Sequence, residues 1–239
     1  MIWILLPSYN EGARLEKTVE RIWQSLPEDK KIVVVDDGST LPPVNIDIDG
    51  VEVIKHGVNM GLAMALLTGF RRIVATAKDE DLLVTMDADN TMDPEVITDM
   101  VTAVDEGAKL VIASRYVRGA RVQGVPPWRK LLSRIASWVA GKIIAVPGVK
   151  DYSSGFRAYR VDALRAALEV WGADFLSSSR GFEAQIEILY KMKPIVGHVR
   201  EVPIRLDYRQ KVGQSHFNFF RTLYGYLRQI FFSVIFKAS

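Results

Sequence analysis

Leu82-Leu83-Val84-Thr85-Met86-Asp87-Ala88-Asp89 is an apolar run that ends in two carboxylates one residue apart. The run predicts a buried strand. Residues i and i+2 of a strand point the same way, so Asp87 and Asp89 can converge on one cation at the strand's carboxyl end. A carboxylate pair there is costly unless a cation or hydrogen-bond donors neutralise it. Open α/β sheets take ligands at the carboxyl ends of their strands, and Mg²⁺ or Mn²⁺ held by one or two carboxylates usually carries phosphates. The pattern therefore points to a metal-bridged diphosphate site. The plainer alternative is that Asp87 and Asp89 cap the following turn, with Asp93-Pro94 opening the next helix as N-cap and first helical residue.

Outward from this run, short apolar segments alternate with segments of helical period. Ile2 to Leu6, stopped by Pro7, predicts a first strand buried on both faces, and Leu15, Val19, Ile22, Trp23 and Leu26 mark the helix after it. Ile32 to Val35 predicts a second strand closed by Asp36-Asp37-Gly38-Ser39, which sets Asp37 where a carboxylate could meet a ribose or base. Val51 to Ile54 predicts a third strand, and Asn59 is positioned to cap a helix from Leu62 to Val74. After the acidic strand, a helix from Pro94 to about Glu106 stops at Gly107. Leu110 to Ala113 then delivers Ser114-Arg115-Tyr116 to the same edge. Asp151 to Arg157 reads as a loop returning to the site, followed by a helix around Val161 to Val170. A further helix opens at Phe182-Glu183, and His198 to Leu206 reads as a late strand. This alternation implies an α/β fold with a largely parallel central sheet flanked by helices.

Composition narrows the function classes. The 239 residues suffice for one sizeable α/β domain, and 49% hydrophobic with 25% charged residues excludes a disordered chain. There is no cysteine, which removes disulfides, thiolate metal sites and cysteine nucleophiles and fits a reducing compartment. The first residues run straight into a strand-like segment with no basic region or cleavage site, so no signal peptide is expected. The net charge is only +3, yet basic residues cluster in 115–134 and 200–228, as expected of a surface that meets phosphates or an anionic membrane.

Two segments carry amphipathic character. In the helix expected at about 128–146, Leu131, Leu132, Ile135, Trp138, Val139 and Ile143 share one face, and Arg129, Lys130, Ser133, Arg134 and Ser137 the other. Residues 217–239 are rich in aromatics but interrupted by Arg221 and Arg228, short of the roughly 20 apolar residues that span a bilayer. Both read as segments lying on a membrane, against the alternative of core-packing helices. The expected organisation is a catalytic domain over 1–216 and a membrane-surface segment over 217–239. Because the aromatics follow helical spacing and build no stacking platform, no nucleic-acid partner is expected.

In order and rough spacing, Leu6-Pro7-Ser8-Tyr9-Asn10-Glu11, Val35-Asp36-Asp37-Gly38-Ser39, Asn59-Met60-Gly61-Leu62-Ala63, Asp87-Ala88-Asp89, Ser114-Arg115-Tyr116 and Ser154-Gly155-Phe156-Arg157 resemble the family 2 glycosyltransferases. The dolichyl- or polyprenyl-phosphate mannose synthase branch is most similar, over nearly all of residues 1–216. The resemblance implies a GT-A fold in which Pro7, Tyr9, Glu11, Val35 and Asp37 surround the nucleotide. Asp87 and Ala88 would approach it, and Asp89, with Asp87, would hold Mg²⁺ or Mn²⁺ on the diphosphate. It further implies that Arg115 and Arg129 lie near the lipid phosphate and the transferring sugar, and that Arg209 comes from a loop closing over the donor. Two departures are visible: Thr91 stands where those synthases usually carry a metal-binding glutamine, and His216 where they carry a lysine.

The implied reaction is inverting transfer of a hexose, mannose favoured, from a nucleotide-diphosphate sugar to a dolichyl or polyprenyl phosphate. The enzyme would be peripheral on the cytosolic face of a membrane, with a membrane-anchoring protein as a possible partner. An anionic phosphate acceptor needs little general-base help. A sugar-hydroxyl acceptor would need a carboxylate base, for which Asp151 and Glu183 are the candidates. Alternatives are a UDP-sugar-dependent transferase acting on another lipid or glycan, and a non-catalytic glycosyltransferase-like subunit.

Overall fold

The computed structural model describes residues 1–41, 46, 48–177, 181 and 183–210. In chain order these form β1 (Ile2–Ser8), α1 (Ala13–Ser25), β2 (Lys30–Asp36), β3 (Val51–Lys55), α2 (Leu62–Val74), β4 (Leu82–Thr85), α3 (Val96–Asp105), β5 (Leu110–Ser114), β6 (Arg121–Gln123), α4 (Pro127–Ile144), β7 (Arg157–Arg160), α5 (Val161–Trp171), α6 (Ala184–Val196), β8 (Arg200–Pro203) and β9 (Arg205–Asp207). Seven strands make one sheet in the order β3-β2-β1-β4-β7-β5-β8. All run parallel except β7, which is antiparallel to both β4 and β5.

The chain-order reversal of the sheet lies between β1 and β4, with β2 and β3 on the far side of β1. In such a sheet the ligand crevice opens at the carboxyl ends of these strands, where Pro7-Ser8 and Asp87-Ala88-Asp89 emerge. Strand alternation splits the core into two layers. Leu5, Val33, Val35, Leu83, Leu110 and Ile112 pack on the side of α2, α5 and α6. Ile4, Leu6, Ile32, Val34, Val84 and Val111 pack on the side of α1 and α3. Gly69 lets α2 sit directly on β1: a Cβ there would lie 2.1 Å from a Leu5 methyl.

The structure differs from the sequence expectation in four places. β7 falls just after the expected loop and fills the centre of the sheet, with its charged Arg157 fully buried. The expected single strand over 198–206 is two strands in two sheets, β8 on the edge of the main sheet and β9 paired with β6. α2 is not capped by Asn59; the Asp37 carboxylate instead accepts the amides of Met60 (2.9 Å) and Gly61 (2.7 Å) ahead of its first turn. α3 begins at Val96, after a turn in which Asp93 Oδ1 accepts the Glu95 amide at 3.2 Å. The segment over 217–239 and His216 lie outside the described residues.

Candidate active site at the sheet's carboxyl edge

At the end of β1, Asn10 adopts a left-handed backbone (φ 57°), and its Oδ1 accepts the amides of Thr40 (2.9 Å) and Leu41 (3.2 Å). Its own amide donates to Ser39 Oγ at 2.8 Å. The exits of β1 and β2 are thereby stitched together, with Pro7 in register with Val35 and the Asp37 amide donating to the Ser8 carbonyl at 2.8 Å. Glu11 is ion-paired with Arg14 at 2.9 Å. Gly38 turns the chain with φ 73°, and a Cβ there would lie 2.4 Å from the Val58 backbone, so only glycine lets these loops meet. Asp37 is 4% exposed and also accepts from His56 Nδ1 at 2.7 Å, while His56 Nε2 contacts Thr68 Oγ1 at 3.0 Å. Asp37 thus builds the 56–61 loop that borders the crevice, a task the sequence did not reveal.

At the acidic strand end the structure shows the turn-capping alternative for Asp89. Asp89 caps the turn: its Oδ1 accepts the Thr91 hydroxyl at 2.6 Å and the Thr91 amide at 3.2 Å. Ala88 is tied down from α1, with its carbonyl accepting Thr18 Oγ1 at 3.1 Å. Asn90, with φ 62°, accepts Arg21 Nη1 on its Oδ1 at 2.7 Å and donates Nδ2 to Gln210 Oε1 at 2.9 Å. The Asp207 amide donates to the Thr91 carbonyl at 2.8 Å and the Asp93 amide to the Arg205 carbonyl at 3.1 Å. The acidic turn is therefore hydrogen-bonded to β9 and to the turn that carries Arg209.

Among the described residues no group of three or more His, Cys, Asp or Glu side chains could enclose a metal. Two carboxylates at one strand end, with Asp89 Oδ1 oriented by Thr91, nonetheless fit a hard cation. Such a cation takes its remaining ligands from diphosphate oxygens and water. Thr91 contributes by holding Asp89, where the sequence resemblance had suggested a position for a ligand.

At the end of β5, Arg115 grips the fully buried Asp151 with both arms of its fork, Nε to Oδ2 at 2.7 Å and Nη2 to Oδ1 at 2.6 Å. Asp151 further accepts the amides of Arg115 (3.0 Å) and Ser154 (3.1 Å), and Arg115 Nη2 reaches Ser153 Oγ at 2.6 Å. Burial alone would raise the Asp151 pKa, but the charge and hydrogen bonds of Arg115 outweigh it and hold the carboxyl below its ordinary value. Asp151 is therefore not a general base; it is the counter-ion that sets the plane of Arg115. Glu183, the other candidate base, precedes α6 and accepts the Gly181 amide on Oε1 at 3.1 Å.

Tyr116 joins β5 to α4. Its hydroxyl donates to Ser133 Oγ at 3.0 Å, and the guanidinium carbons of Arg115 and Arg134 stand 5.4 and 5.7 Å from its ring centroid. Arg134 was read from the sequence only as part of a polar face. Arg129 lies in the first turn of α4, and its side chain is outside the described set. Arg209 pairs with Asp207 through Nε and Nη2, both at 2.8 Å, and Nη2 also donates to Gln123 on β6.

α4 presents the reverse of an ordinary surface helix. Trp128 (53%), Leu131 (60%), Ile135 (49%) and Trp138 (64%) are exposed, while Ser137, Ala140 and Ile144 are buried against the body. Lys130, Arg134 and Lys142 are exposed on the same helix, with Lys142 Nζ 5.9 Å from the Trp138 ring centroid. No helix of the described residues is long and apolar enough to cross a membrane.

The profile described as glycosyl transferase family 2 matches residues 3–168. The chain is 34% identical over 215 residues to the polyprenol monophosphomannose synthase of Mycolicibacterium smegmatis, covering 87% of this chain and 77% of that protein. It is 34% identical over 238 residues to the dolichol-phosphate mannosyltransferase of Pyrococcus furiosus, covering 95% of this chain. The match spans 62% of that archaeal protein, so this chain is about three fifths of that relative's length. Among solved structures, the glucosyl-3-phosphoglycerate synthase from Mycobacterium tuberculosis in complex with Mn²⁺, uridine-diphosphate-glucose and phosphoglyceric acid gives a TM-score of 0.62. The identity is 21%, over 98% of this chain and 78% of that one, and the likeness is one of fold.

Proposed function

The chain belongs to glycosyl transferase family 2, has a GT-A-like fold and is a glycosyltransferase; we propose that it moves a hexose, mannose favoured, from a nucleotide-diphosphate sugar to a dolichyl or polyprenyl phosphate. The observation that carries this reading is the exposed tryptophan, leucine and isoleucine stripe of α4 with its lysines and arginines. Tyr116 fastens that helix beside the crevice where the acidic strand ends. Apolar side chains set among cations suit the boundary between acyl chains and anionic headgroups. A lipid lying there would bring its phosphate toward Arg115, Arg129 and Arg134.

The reaction is a single displacement. An oxygen of the acceptor phosphate attacks the anomeric carbon, the bond from that carbon to the diphosphate oxygen breaks, and its electron pair leaves with the nucleoside diphosphate. Configuration inverts. The second ionisation of a phosphate lies near pH 6, so the acceptor is already anionic and no proton must be removed. This agrees with Asp151 and Glu183 being engaged in other bonds. Asp87 and Asp89 would hold Mg²⁺ or Mn²⁺, which when bound offsets charge on the departing diphosphate. Arg115, locked by Asp151, presents its guanidinium in one orientation and loses little freedom on meeting a phosphate. Pro7, Tyr9, Glu11, Val35 and Asp37 border the place for the nucleotide, with Arg209 at the turn beyond β9. The enzyme would work as a peripheral protein on the cytosolic face, where nucleotide sugars and a reducing milieu suit a chain without cysteine.

The test is transfer of labelled sugar from GDP-mannose, UDP-glucose and UDP-N-acetylglucosamine to a short polyprenyl phosphate, with Mg²⁺, Mn²⁺ or EDTA. Metal-dependent product from GDP-mannose is expected. Product from a UDP-sugar alone would overturn the donor, and no product with any donor would overturn the acceptor.

A further inference from the structure

We propose that Gln185 is the residue that reads the donor hexose, its carboxamide oxygen accepting a hydroxyl of the sugar; this deepens the function proposed above and rests on it. Gln185 lies in the first turn of α6 and is 3% exposed, yet among the described residues its Oε1 accepts no hydrogen bond. A buried orphan acceptor is costly, and a protein that keeps one commonly has a ligand or water for it. Its surroundings say which. Gly155 lies between the carboxamide and the acidic strand: a Cβ built there would stand 3.2 Å from Gln185 Nε2 and 3.6 Å from Asp87 Oδ1. The two polar groups thus face one small space, which a side chain at position 155 would fill.

The assignment of the amide follows from the same geometry. Nε2 is the amide atom on the side of Gly155 and Asp87, and the flipped amide would bring its oxygen nearer the Asp87 carboxylate. The group left without a partner is therefore an acceptor. Two acceptors, one charged, repel a phosphate and favour a neutral donor of hydrogen bonds. A hexose attached to a diphosphate at Asp87 and Asp89 offers such donors, one hydroxyl for the carboxylate and a neighbour for Oε1.

The backbone that carries this amide is held in place. Arg157, fully buried on β7 and paired in register with Thr85 of β4, donates Nη1 to the Gln185 carbonyl at 2.8 Å and Nη2 to the Tyr152 carbonyl at 3.0 Å. A fixed backbone at Gln185 suits recognition, because less of the site has to be ordered when the sugar arrives.

The experiment is a cycle between the protein and its donor. Wild type and Gln185→Leu are compared for binding of GDP and GDP-mannose by calorimetry, and for kcat/KM with GDP-mannose and its singly deoxygenated mannose analogues. Gln185→Leu should leave GDP affinity within about twofold, which also shows that the variant folds. It should lower kcat/KM for GDP-mannose about 10- to 100-fold. One deoxy position should cost the wild type a similar factor and cost the variant almost nothing, because both changes delete the same bond. If Gln185→Leu does not fold, a wild-type analogue series with no loss at any position overturns the inference, and Gly155→Ala, which crowds the amide, should reproduce the loss. Additive losses at every position, or equal weakening of GDP and GDP-mannose, would overturn the role of Gln185 while leaving the transferase reading intact. A wild type that uses no sugar nucleotide would overturn both.

Discussion

Replacing Arg115 with methionine should turn Asp151 from a stabilising group into a destabilising one, and the change should depend on pH in a defined direction. In the native protein Asp151 is fully buried and ionised, held by both arms of Arg115 and by two backbone amides. Its folded pKa lies below the ordinary value of an aspartate, so it contributes stability that is present above that ordinary value and is lost as pH falls through the folded pKa. In Arg115→Met the partner charge is gone while the burial remains. Breaking a buried pair from one side costs about 3–5 kcal/mol near neutral pH. At about 2–4 °C per kcal/mol for a chain of this size, the melting temperature should drop by roughly 6–20 °C. Burial then pushes the Asp151 carboxyl upward, so protonation relieves the variant as pH is lowered, and the gap to wild type should narrow from pH 7 toward pH 5. Chemical denaturation across that range reads both effects. A loss under about 1 kcal/mol that stays constant with pH would refute the account and return Arg115 to a role confined to the acceptor.

Two further outcomes follow from the site and from α4. Asp89→Asn keeps an acceptor for Thr91 and should fold with a stability change of about 1 kcal/mol, while Mn²⁺ binding followed by electron paramagnetic resonance and metal-dependent transfer are lost; undiminished Mn²⁺ binding would remove Asp89 from the metal site. Trp138→Glu, at a position 64% exposed, should leave the melting temperature unchanged. In a sedimentation assay it should weaken binding to anionic vesicles roughly tenfold; unaltered partitioning would assign the stripe to a protein partner.

The acidic strand and the helices around it were legible because their signals are local: an apolar run ending in aspartates, helical spacing, a proline stop. What escaped the sequence was set by distant partners. β7 reads Arg-Ala-Tyr-Arg, a poor advertisement for a central strand, and its buried Arg157 is tolerable only because the Gln185 and Tyr152 carbonyls satisfy it. Asn59 had the composition of a cap, but Asp37, 23 positions before Met60, took that task. The amphipathic period of α4 was correct while its orientation was not that of a core helix, since Ser137, Ala140 and Ile144 pack inward while Trp128, Leu131, Ile135 and Trp138 point out. Gln185 resembles any solvated helix residue until the fold encloses it.

β5 and β7 are sheet neighbours of opposite direction, so everything from 115 to 156, α4 included, is topologically the loop of one hairpin. It leaves and re-enters the sheet at the same edge, with both ends pinned by adjacent strands. Beyond β6, which pairs with β9, its length can vary without altering the register of the seven-stranded sheet. The segment that carries α4 is thus a cassette hung on the β5–β7 ladder, open to lengthening, shortening or exchange while the part of the sheet around β1 and β4 stays as it is.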